Sequence, residues 1–251
     1  MSSRPKVSFL VAGVQKGGTT ALFDYLVEHP GLSLPAIKEA HFFDDETGVD
    51  WREPDYERYH ALFPADPAGD SRQRGEATPI YIYWPNCLER VAAYNPDMRL
   101  ILIFRDPIER AWSHWKMEYA RGAETQPFAW CIREGRRRVV ENDNTPGFHR
   151  EFSYVERGFY GRQVQRLLSL FPRDQLLFLR SDDLKAEPAR ILCKVCDFLN
   201  APRFGSVVQK ESHVAKDMDY GETINETDRE YLRNIFADDR KIFEEITSIS
   251  F

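Results

Sequence analysis

A glycine-rich loop between an apolar strand and a helix is the feature that most constrains the fold of this chain. Residues 7–12 (VSFLVA) form a continuous apolar run, which is typical of a strand in a parallel sheet covered on both faces. The loop GVQKGGTT (13–20) follows. Residues 21–29 (ALFDYLVEH) then carry apolar side chains at helical spacing before Pro30 and Gly31. This order predicts a sheet whose first loop can bind an anion.

The rest of the chain continues the alternation of strands and helices. Apolar runs predict further strands at 32–35, 99–105 and 175–180. Helical periodicity predicts further helices that begin at Pro107 or cover 158–171, 188–199 and 227–246. We expect residues 46–78 and 122–150 to be mostly loops. The pattern favours the α/β class, with one domain over residues 1–251 and a mainly parallel central sheet flanked by helices.

The charge balance excludes one class of partner. The chain has 34 Lys and Arg against 40 Asp and Glu, a net charge of −6, whereas nucleic-acid-binding proteins carry a clear basic excess. We therefore predict no nucleic-acid partner. The sequence has no apolar run of the ~20 residues that a membrane span needs, and its four scattered cysteines predict reduced thiols. Both features favour a cytoplasmic protein.

Cysteine and histidine show no metal-binding pattern. Cys193 and Cys196 form a C-x-x-C pair, but the surrounding apolar residues have helical spacing. This setting favours packing in the core, with redox or metal chemistry as the alternative. The six histidines show no H-x-x-x-H spacing. We therefore predict no metal site.

The loop 13–20 suits a phosphate group. Glycine N–H groups, the start of the next helix and Lys16 all favour an anion, and Thr19 and Thr20 add hydroxyl donors. In a Walker A motif the lysine stands between the last glycine and a Ser or Thr. Here Lys16 comes before the glycine pair, and the loop is shorter. It fits one 5′-phosphate group better than a triphosphate, and a plain glycine-rich turn is the alternative.

A second anion site is predicted where the strand at 99–105 ends. Arg105 lies at the carboxyl edge of the predicted sheet, where open α/β sheets bind ligands. Ser113 lies two turns into the helix that follows. An arginine with a nearby hydroxyl suits a second phosphate. The alternative is that Arg105 only pairs with an acidic side chain at the sheet edge.

Asp106 has two possible roles. Together with Pro107 and Glu109 it forms a helix-start pattern, in which the aspartate caps the first N–H groups. An aspartate at the end of an apolar strand can also bind Mg²⁺ in a kinase-like site. The pattern favours the capping role.

Glu39 and His41 are the candidates for acid–base chemistry. They belong to KEAHFFD (38–44), and in an extended segment their side chains would point to the same side. A carboxylate beside an imidazole suits proton transfer. A surface strand with incidental charges is the alternative.

Taken together, these motifs resemble the sulfotransferases that use 3′-phosphoadenosine 5′-phosphosulfate (PAPS), in particular the heparan sulfate glucosaminyl sulfotransferases and their bacterial relatives. The resemblance runs from about residue 8 to about residue 200. The matching segments are QKGGTTAL (15–22), KEAHFFD (38–44), GEATPIYIYWP (75–85), LILIFRDPIERAWSHW (100–115) and LSLFPRDQLLFLRSDDL (168–184).

The resemblance implies a role for each candidate residue. Glu39 is the catalytic base and His41 supports it. Lys16 serves both in catalysis and in binding the 5′-phosphosulfate, while Arg105 and Ser113 bind the 3′-phosphate. The other cofactor residues of the loop are Gln15, Gly17, Gly18, Thr19 and Thr20.

The chain departs from that branch at two places. Ala77 stands where the glucosaminyl enzymes carry a substrate-contacting lysine, so we expect a neutral or weakly anionic acceptor. The Lys-Gly start of the family's C-terminal adenosine-phosphate loop is not evident. In its place, QKESHVAKDMDY (209–220) predicts a cofactor contact from Lys216, with Lys210 and His213 as alternatives. The Golgi members' membrane anchor is not seen either, which favours a bacterial cytoplasmic enzyme.

The sequence thus predicts an enzyme that moves a sulfuryl group from PAPS to a hydroxyl or amine of a glycan or small molecule. The displacement is in line, with Glu39 taking the acceptor proton and Lys16 neutralising the leaving phosphate. The arginine-rich stretch at 133–138 is either a solvated helix face or an edge of the acceptor site. A small-molecule kinase using Asp106 and Mg²⁺ and a non-catalytic nucleotide-binding module are the alternative functions.

Overall fold

A parallel sheet organises the first part of the chain. The computed structural model describes residues 6–65, 71–210 and 220–251. Within these residues five strands form one sheet, and every neighbouring pair is parallel. The strands are β1 (Phe9–Gly13), β2 (Leu32–Ser33), β3 (Gln73–Ala77), β4 (Arg99–Phe104) and β5 (Leu176–Arg180). Their order is β2-β3-β1-β4-β5, which confirms the predicted α/β class.

The apolar first strand lies in the middle of this sheet. Every residue of β1 is buried. Phe9 pairs with Gly75 of β3 on one side and with Arg99 of β4 on the other. A strand enclosed in this way is apolar throughout rather than alternating. The strands predicted at 32–35, 99–105 and 175–180 are likewise confirmed as β2, β4 and β5.

β3 lies within residues 46–78, and the prediction of loops there was wrong for Gln73–Ala77. β3 has the sequence QRGEA and no apolar run, yet it lies between β2 and β1. Arg74 and Glu76 are almost wholly buried, at 2% and 0% exposure. A Cβ on Gly75 would overlap the ring of Phe9 on β1. Buried polar side chains and a glycine therefore concealed an interior strand.

Helices account for most of the other regular structure. In the described residues they are α1 (Thr19–Leu26), α2 (Tyr56–His60), α3 (Cys87–Tyr94), α4 (Pro107–Ala120), α5 (Phe128–Cys131), α6 (Arg137–Val140), α7 (Tyr160–Leu170), α8 (Ser181–Ala186), α9 (Pro188–Leu199) and α10 (Glu226–Thr247). The helices predicted after the glycine loop, after Asp106, and at 158–171, 188–199 and 227–246 are confirmed with small shifts of their ends. Across the described ranges, no helix has both the length and the apolar character to cross a bilayer.

The chain divides into two compact units. The first contains residues 1–104 and 167–212, and the second contains residues 105–166 and 213–251, apart from those the structure does not describe. The sheet belongs to the first unit, whereas α4 and α10 belong to the second. The expectation of a single domain over residues 1–251 stays a prediction.

Each unit has its own apolar core. In the first unit α1 and α9 pack on the sheet, and the shared core includes Phe9, Val11, Leu22, Leu26, Ile101, Ile103, Val195 and Leu199. In the second unit the core includes Trp115, Phe128, Tyr154, Leu232 and Phe236. Burying a large apolar side chain stabilises the fold by about 1.5–3 kcal/mol. The helix that begins at Thr19 contributes to the first core, and the helix that carries Ser113 contributes to the second.

Candidate active site

The glycine loop between β1 and α1 is shaped by close backbone contacts. The N–H of Val14 donates to the carbonyl of Ile103 on β4 at 3.1 Å, and the N–H of Gly17 donates back to the carbonyl of Val14 at 2.8 Å. A Cβ on Gly17 would overlap the Ile103 carbonyl oxygen. Gly18 has a φ of 104°, in the left-handed region that glycine tolerates. The two glycines are therefore required by the turn itself.

The loop ends where α1 begins, at Thr19. No side chain caps this helix start, since Gly18 holds the N-cap position. N–H groups at such a helix start, together with the helix dipole, favour an anion. Thr19 is 4% exposed, whereas Thr20 is exposed and Lys16 is half-buried with a φ of 65°. The predicted phosphate-loop residues thus form one continuous turn at the carboxyl edge of the sheet.

The structure brings Glu39 and His41 together, but not through an extended segment. Residues 38–44 are irregular. Glu39 and His41 both have left-handed backbone, with φ values of 68° and 50°. Glu39 Oε2 lies 3.4 Å from His41 Nε2. The predicted pairing is present, although the strand geometry invoked for it is not.

Charged neighbours extend this pair on both sides. Lys38 Nζ hydrogen-bonds Glu39 Oε1. On the other side, Asp44 Oδ2 lies 2.9 Å from His41 Nδ1, and the Asp44 side chain is only 1% exposed. Lys38, Glu39, His41 and Asp44 therefore form a continuous chain of alternating charge. The sequence analysis assigned no role to Lys38 or Asp44, although both stand in the same motif.

These contacts set the charge of each group. Burial raises the pKa of Glu39, but the hydrogen bond with His41 and the charge and hydrogen bond of Lys38 outweigh it and lower the pKa to about 2. The hydrogen bonds of His41 with Asp44 and then Glu39 raise the pKa of the imidazole to about 9. At neutral pH the segment therefore presents a carboxylate beside a protonated histidine.

The end of β3 anchors this segment. The backbone N–H of Glu39 donates to the carbonyl of Ala77 at 3.1 Å. The carboxyl ends of β1, β2 and β3 lie at the same edge of a parallel sheet. The Glu39 segment, which follows β2, and the glycine loop, which follows β1, therefore belong to one edge of the first unit.

Arg105 and Ser113 belong to the second unit. Arg105 directly follows the last residue of β4, and its carbonyl accepts a hydrogen bond from the Tyr160 hydroxyl at 3.0 Å. Its guanidinium lies 3.8 Å from Glu109 Oε2, while Arg229 contacts the other Glu109 oxygen at 2.6 Å. Arg105 does meet an acidic side chain, as the alternative anticipated, but at long range. Ser113 is half-buried on α4.

The capping role of Asp106 is confirmed. Its Oδ1 accepts the N–H of Ile108 at 2.9 Å and that of Glu109 at 3.0 Å. Pro107 is the first residue of α4, as the helix-start pattern predicts. These bonds engage the carboxylate that a kinase would need for Mg²⁺.

The remaining residues singled out from the sequence are the candidates for a C-terminal cofactor contact and the C-x-x-C pair. Lys216 and His213 lie outside the described residues. Lys210 is held on α1, where its N–H donates to the Tyr25 hydroxyl at 2.9 Å and its Nζ meets Glu28 at 2.7 Å. Of the C-x-x-C pair, Cys196 on α9 is buried at 1% exposure, as the packing prediction requires, whereas Cys193 is half-buried.

Most of the arginine-rich stretch is engaged in ion pairs. The pairs are Arg133 with Asp228 at 2.6 Å, Arg136 with Glu156 at 2.8 Å and Arg138 with Glu124 at 2.7 Å. These contacts favour a structural role over an acceptor edge. Among the described residues, no group of three or more His, Cys, Asp or Glu side chains could hold a metal ion.

Comparison with known proteins places these features in one family. The sulfotransferase domain family matches residues 6–226 of the chain. The membrane-associated sulfotransferase kil1 of Dictyostelium discoideum is 24% identical over 91% of this chain and 62% of its own length. The human heparan sulfate glucosamine 3-O-sulfotransferase 6 is 31% identical over 77% of this chain and 52% of its own length. The chain thus spans about half to two thirds of the length of such relatives.

A solved structure extends the similarity to the whole chain. The sulfotransferase from Alicyclobacillus acidocaldarius superimposes with a TM-score of 0.78 at 25% identity, covering 99% of this chain and 98% of that one. The resemblance seen in the sequence motifs is therefore confirmed. The chain belongs to the sulfotransferase family.

Proposed function

We propose that this sulfotransferase uses PAPS as donor and a hydroxyl group as acceptor, with Glu39 taking the acceptor proton. The observation that carries the proposal is the Glu39 segment. A carboxylate is held there between Lys38 and His41, on left-handed backbone, at the same sheet edge as the glycine loop. Left-handed non-glycine residues are unfavourable and concentrate at functional sites. A protein that only binds nucleotide has no use for such a group.

The glycine loop fits the 5′-phosphosulfate of the donor. Gly17 and Gly18 allow the tight turn of the loop, and the start of α1 supplies N–H groups. Lys16 then neutralises the charge that gathers on the departing 5′-phosphate oxygen, and Gln15, Thr19 and Thr20 complete the loop.

The remaining donor contacts are proposed for the 3′-phosphate. Arg105 and Ser113 supply a guanidinium and a hydroxyl, which suit a phosphate dianion. Lys216 is proposed as a further contact. Asp106 remains the cap of α4 and takes no part in binding a metal.

The low pKa of Glu39 determines when the proton moves. A carboxylate with a pKa of about 2 is too weak a base to deprotonate an alcohol at the start. As the acceptor oxygen bonds to sulfur, its proton becomes acidic. The bond from sulfur to the 5′-phosphate oxygen breaks, the electron pair remains on the phosphate, and the proton passes to Glu39 late in the step. His41 and Asp44 keep the carboxylate oriented.

The acceptor is proposed to be a neutral or weakly anionic glycan or small molecule. The basis is Ala77, which stands where the glucosaminyl enzymes carry a substrate-contacting lysine and is itself buried in the core of the first unit. A cation at this point would attract anionic groups, and alanine cannot. The glycan acceptor named for the human relative makes glycans the first class to test. A bacterial, cytoplasmic setting stays a prediction.

A transfer assay tests this proposal. Purified protein is incubated with ³⁵S-labelled PAPS and a panel of neutral glycans, alcohols, phenols, amines and heparan-type chains, with and without EDTA. We expect label on a hydroxyl acceptor, with the same rate in EDTA. In a parallel reaction with γ-³²P-labelled ATP in place of PAPS, transfer of label that stops in EDTA would instead show a kinase. Strong, salt-sensitive sulfation of heparan-type chains would contradict the acceptor class.

A further inference from the structure

A buried polar network lies next to the Glu39 segment. Glu76 on β3 is 0% exposed. Its Oε2 accepts a hydrogen bond from the Thr78 hydroxyl at 2.7 Å, and its Oε1 accepts one from the Tyr59 hydroxyl at 3.4 Å. The neighbouring residue, Ala77, is the one whose carbonyl accepts the N–H of Glu39. Burying a carboxyl is costly, and the proposed reaction does not use this one.

Tyr81 connects this carboxyl to the segment. The Tyr81 hydroxyl accepts the N–H of Phe42 at 3.1 Å and the N–H of Phe43 at 3.4 Å. Because both amides can only donate, the phenol proton is left for another acceptor. The phenol interacts with both Glu76 and Thr78, and the Thr78 hydroxyl in turn donates to Glu76. Tyr81, Thr78 and Glu76 therefore form one buried polar cluster, which meets the backbone at residues 42–43 through the phenol.

The segment depends on such support. Glu39 and His41 both have left-handed backbone, which is unfavourable for residues with side chains and persists only where the surroundings hold it. Phe42 and Phe43 lie between His41 and Asp44 in the chain. Holding their amides therefore determines where the Asp44 carboxylate meets the imidazole.

We propose that Tyr81 and Glu76 are positioning residues for the Glu39 segment. Tyr81 holds the backbone at residues 42–43, and Glu76 orients the phenol so that its oxygen faces the two amides. The result is that Asp44 stays on Nδ1 of His41 and Glu39 stays against Nε2. The inference rests on the proposed function, because this arrangement serves the reaction only if Glu39 takes the proton.

The charge of Glu76 is consistent with this role. Burial raises the pKa of Glu76 to about 7, against the hydrogen bonds from Thr78, Tyr81 and Tyr59, which favour the carboxylate, and the charge of Asp44 raises the pKa further. A carboxylate only accepts hydrogen bonds, whereas a protonated carboxyl also donates. The polar neighbours of Glu76 thus favour its ionised form.

Tyr81→Phe and Tyr94→Phe form a matched pair for the test. Tyr94 is also buried, at 2% exposure. Its hydroxyl accepts the N–H of Val7 at 2.8 Å and contacts His60 Nε2 at 2.8 Å, so it serves another part of the fold. The ring resonances of His41, identified by their loss in His41→Ala, are followed by NMR through a pH titration of ¹⁵N-labelled protein.

In the unaltered protein we expect His41 to titrate near pH 9. Tyr81→Phe should lower this pKa by about one unit or more, because the contacts of the imidazole with Asp44 and Glu39 loosen. Tyr94→Phe should leave it unchanged. The affinity for 3′,5′-adenosine bisphosphate (PAP), which PAPS leaves behind after transfer, is measured by calorimetry. It should be the same in both variants. Glu76→Gln should shift His41 in the same direction as Tyr81→Phe, and it replaces that variant if the latter does not fold.

The outcomes separate this inference from the proposed function. A His41 pKa that falls equally in both Phe variants, or in neither, overturns the positioning role. If Tyr81→Phe and Glu76→Gln lower it while Glu39→Gln keeps full turnover, the positioning role stands and the assignment of the base is wrong.

Discussion

The glycine loop and the Glu39 segment each hold candidate site residues in a fixed backbone shape, but different contacts fix that shape. Both follow parallel strands and lie at one edge of the sheet. The loop is shaped by backbone, with Gly17 and Gly18 allowing an approach that side chains would block. The segment is shaped by side chains, with Glu39 and His41 held in a backbone region that glycine would occupy more readily.

This difference matches the two roles that we propose, donor binding for the loop and proton transfer for the segment. A backbone turn binds a group that every donor molecule carries, and it needs only small residues and one cation. Moving a proton needs specific side chains in a set charge state, so their backbone must be held from outside. We therefore expect substitutions in the loop to affect donor binding and turnover together, and substitutions in the segment to affect turnover alone.

The largest combined effect on donor binding and turnover is expected for Lys16→Ala. The same charge serves the bound donor and the departing phosphate, so both PAP affinity and kcat should fall. We expect kcat to fall by about 10²- to 10³-fold, judged by what a single electrostatic donor is worth in other enzymes, and the affinity for PAP to fall as well. Calorimetry with PAP and steady-state kinetics measure the two parts. An intact PAP affinity would remove the loop from donor binding.

Arg105→Ala should behave like a loop variant, although Arg105 belongs to another unit. Losing one charge-assisted contact costs about 1.5–3 kcal/mol, or roughly 10- to 150-fold in PAP affinity. Tyr160 bonds the Arg105 carbonyl, so that bond survives the substitution. Adenosine 5′-phosphosulfate lacks the 3′-phosphate and serves as control ligand, because its affinity should not change. Equal losses for both ligands would contradict the 3′-phosphate assignment.

His41→Ala should lower kcat by roughly 10- to 100-fold and leave PAP affinity intact, since an orienting group is lost rather than the proton acceptor.

A pH series tests the same role of His41. The pKa of His41 is raised from 6.5 to about 9. The charged imidazole therefore contributes fully to folding stability below pH 6.5, and this contribution is lost as the pH rises through about 9. The pKa of Glu39 is lowered from 4.5 to about 2, so its stabilisation is complete above pH 4.5 and is lost only as the pH falls through about 2.

The rate should therefore decline above pH 9 in the unaltered protein and show no such decline in His41→Ala. A decline of equal size in the variant would assign it to another group.

The smallest effect is expected for Asp106→Asn. Asparagine caps helices about as well as aspartate, so stability should change by about 0.5 kcal/mol at most, whereas Asp106→Ala should cost about 0.5–2 kcal/mol. Thermal unfolding measures both. Turnover by Asp106→Asn should match the unaltered protein. A collapse of its activity would revive the metal-binding role of Asp106.

Much of the fold was predictable because it depends on local patterns. The apolar runs of β1, β4 and β5, the glycine loop and the Asp106 cap are each defined by a few neighbouring residues. β3 was not predictable, because Arg74 and Glu76 give a buried strand the appearance of a loop.

The candidate site is likewise predictable only in part from local motifs. The loop residues and the pair Glu39 and His41 follow from motifs. The left-handed backbone, the contact of Lys38 and the support of Tyr81 depend on tertiary contacts that no local pattern shows. Lys216 lies outside the described residues, so its role stays a prediction.

The measurement that tests the central claim most directly combines PAP calorimetry with kcat for Glu39→Gln. Glutamine keeps the size and most hydrogen bonds of the side chain but cannot take the proton. We expect PAP affinity to stay nearly unchanged and kcat on an alcohol acceptor to fall by about 10²- to 10⁴-fold, the usual contribution of a general base. The defect should shrink with an acidic phenol that is already ionised at the assay pH. A variant that keeps the original kcat on the alcohol, or that loses PAP affinity as Lys16→Ala does, would contradict the account.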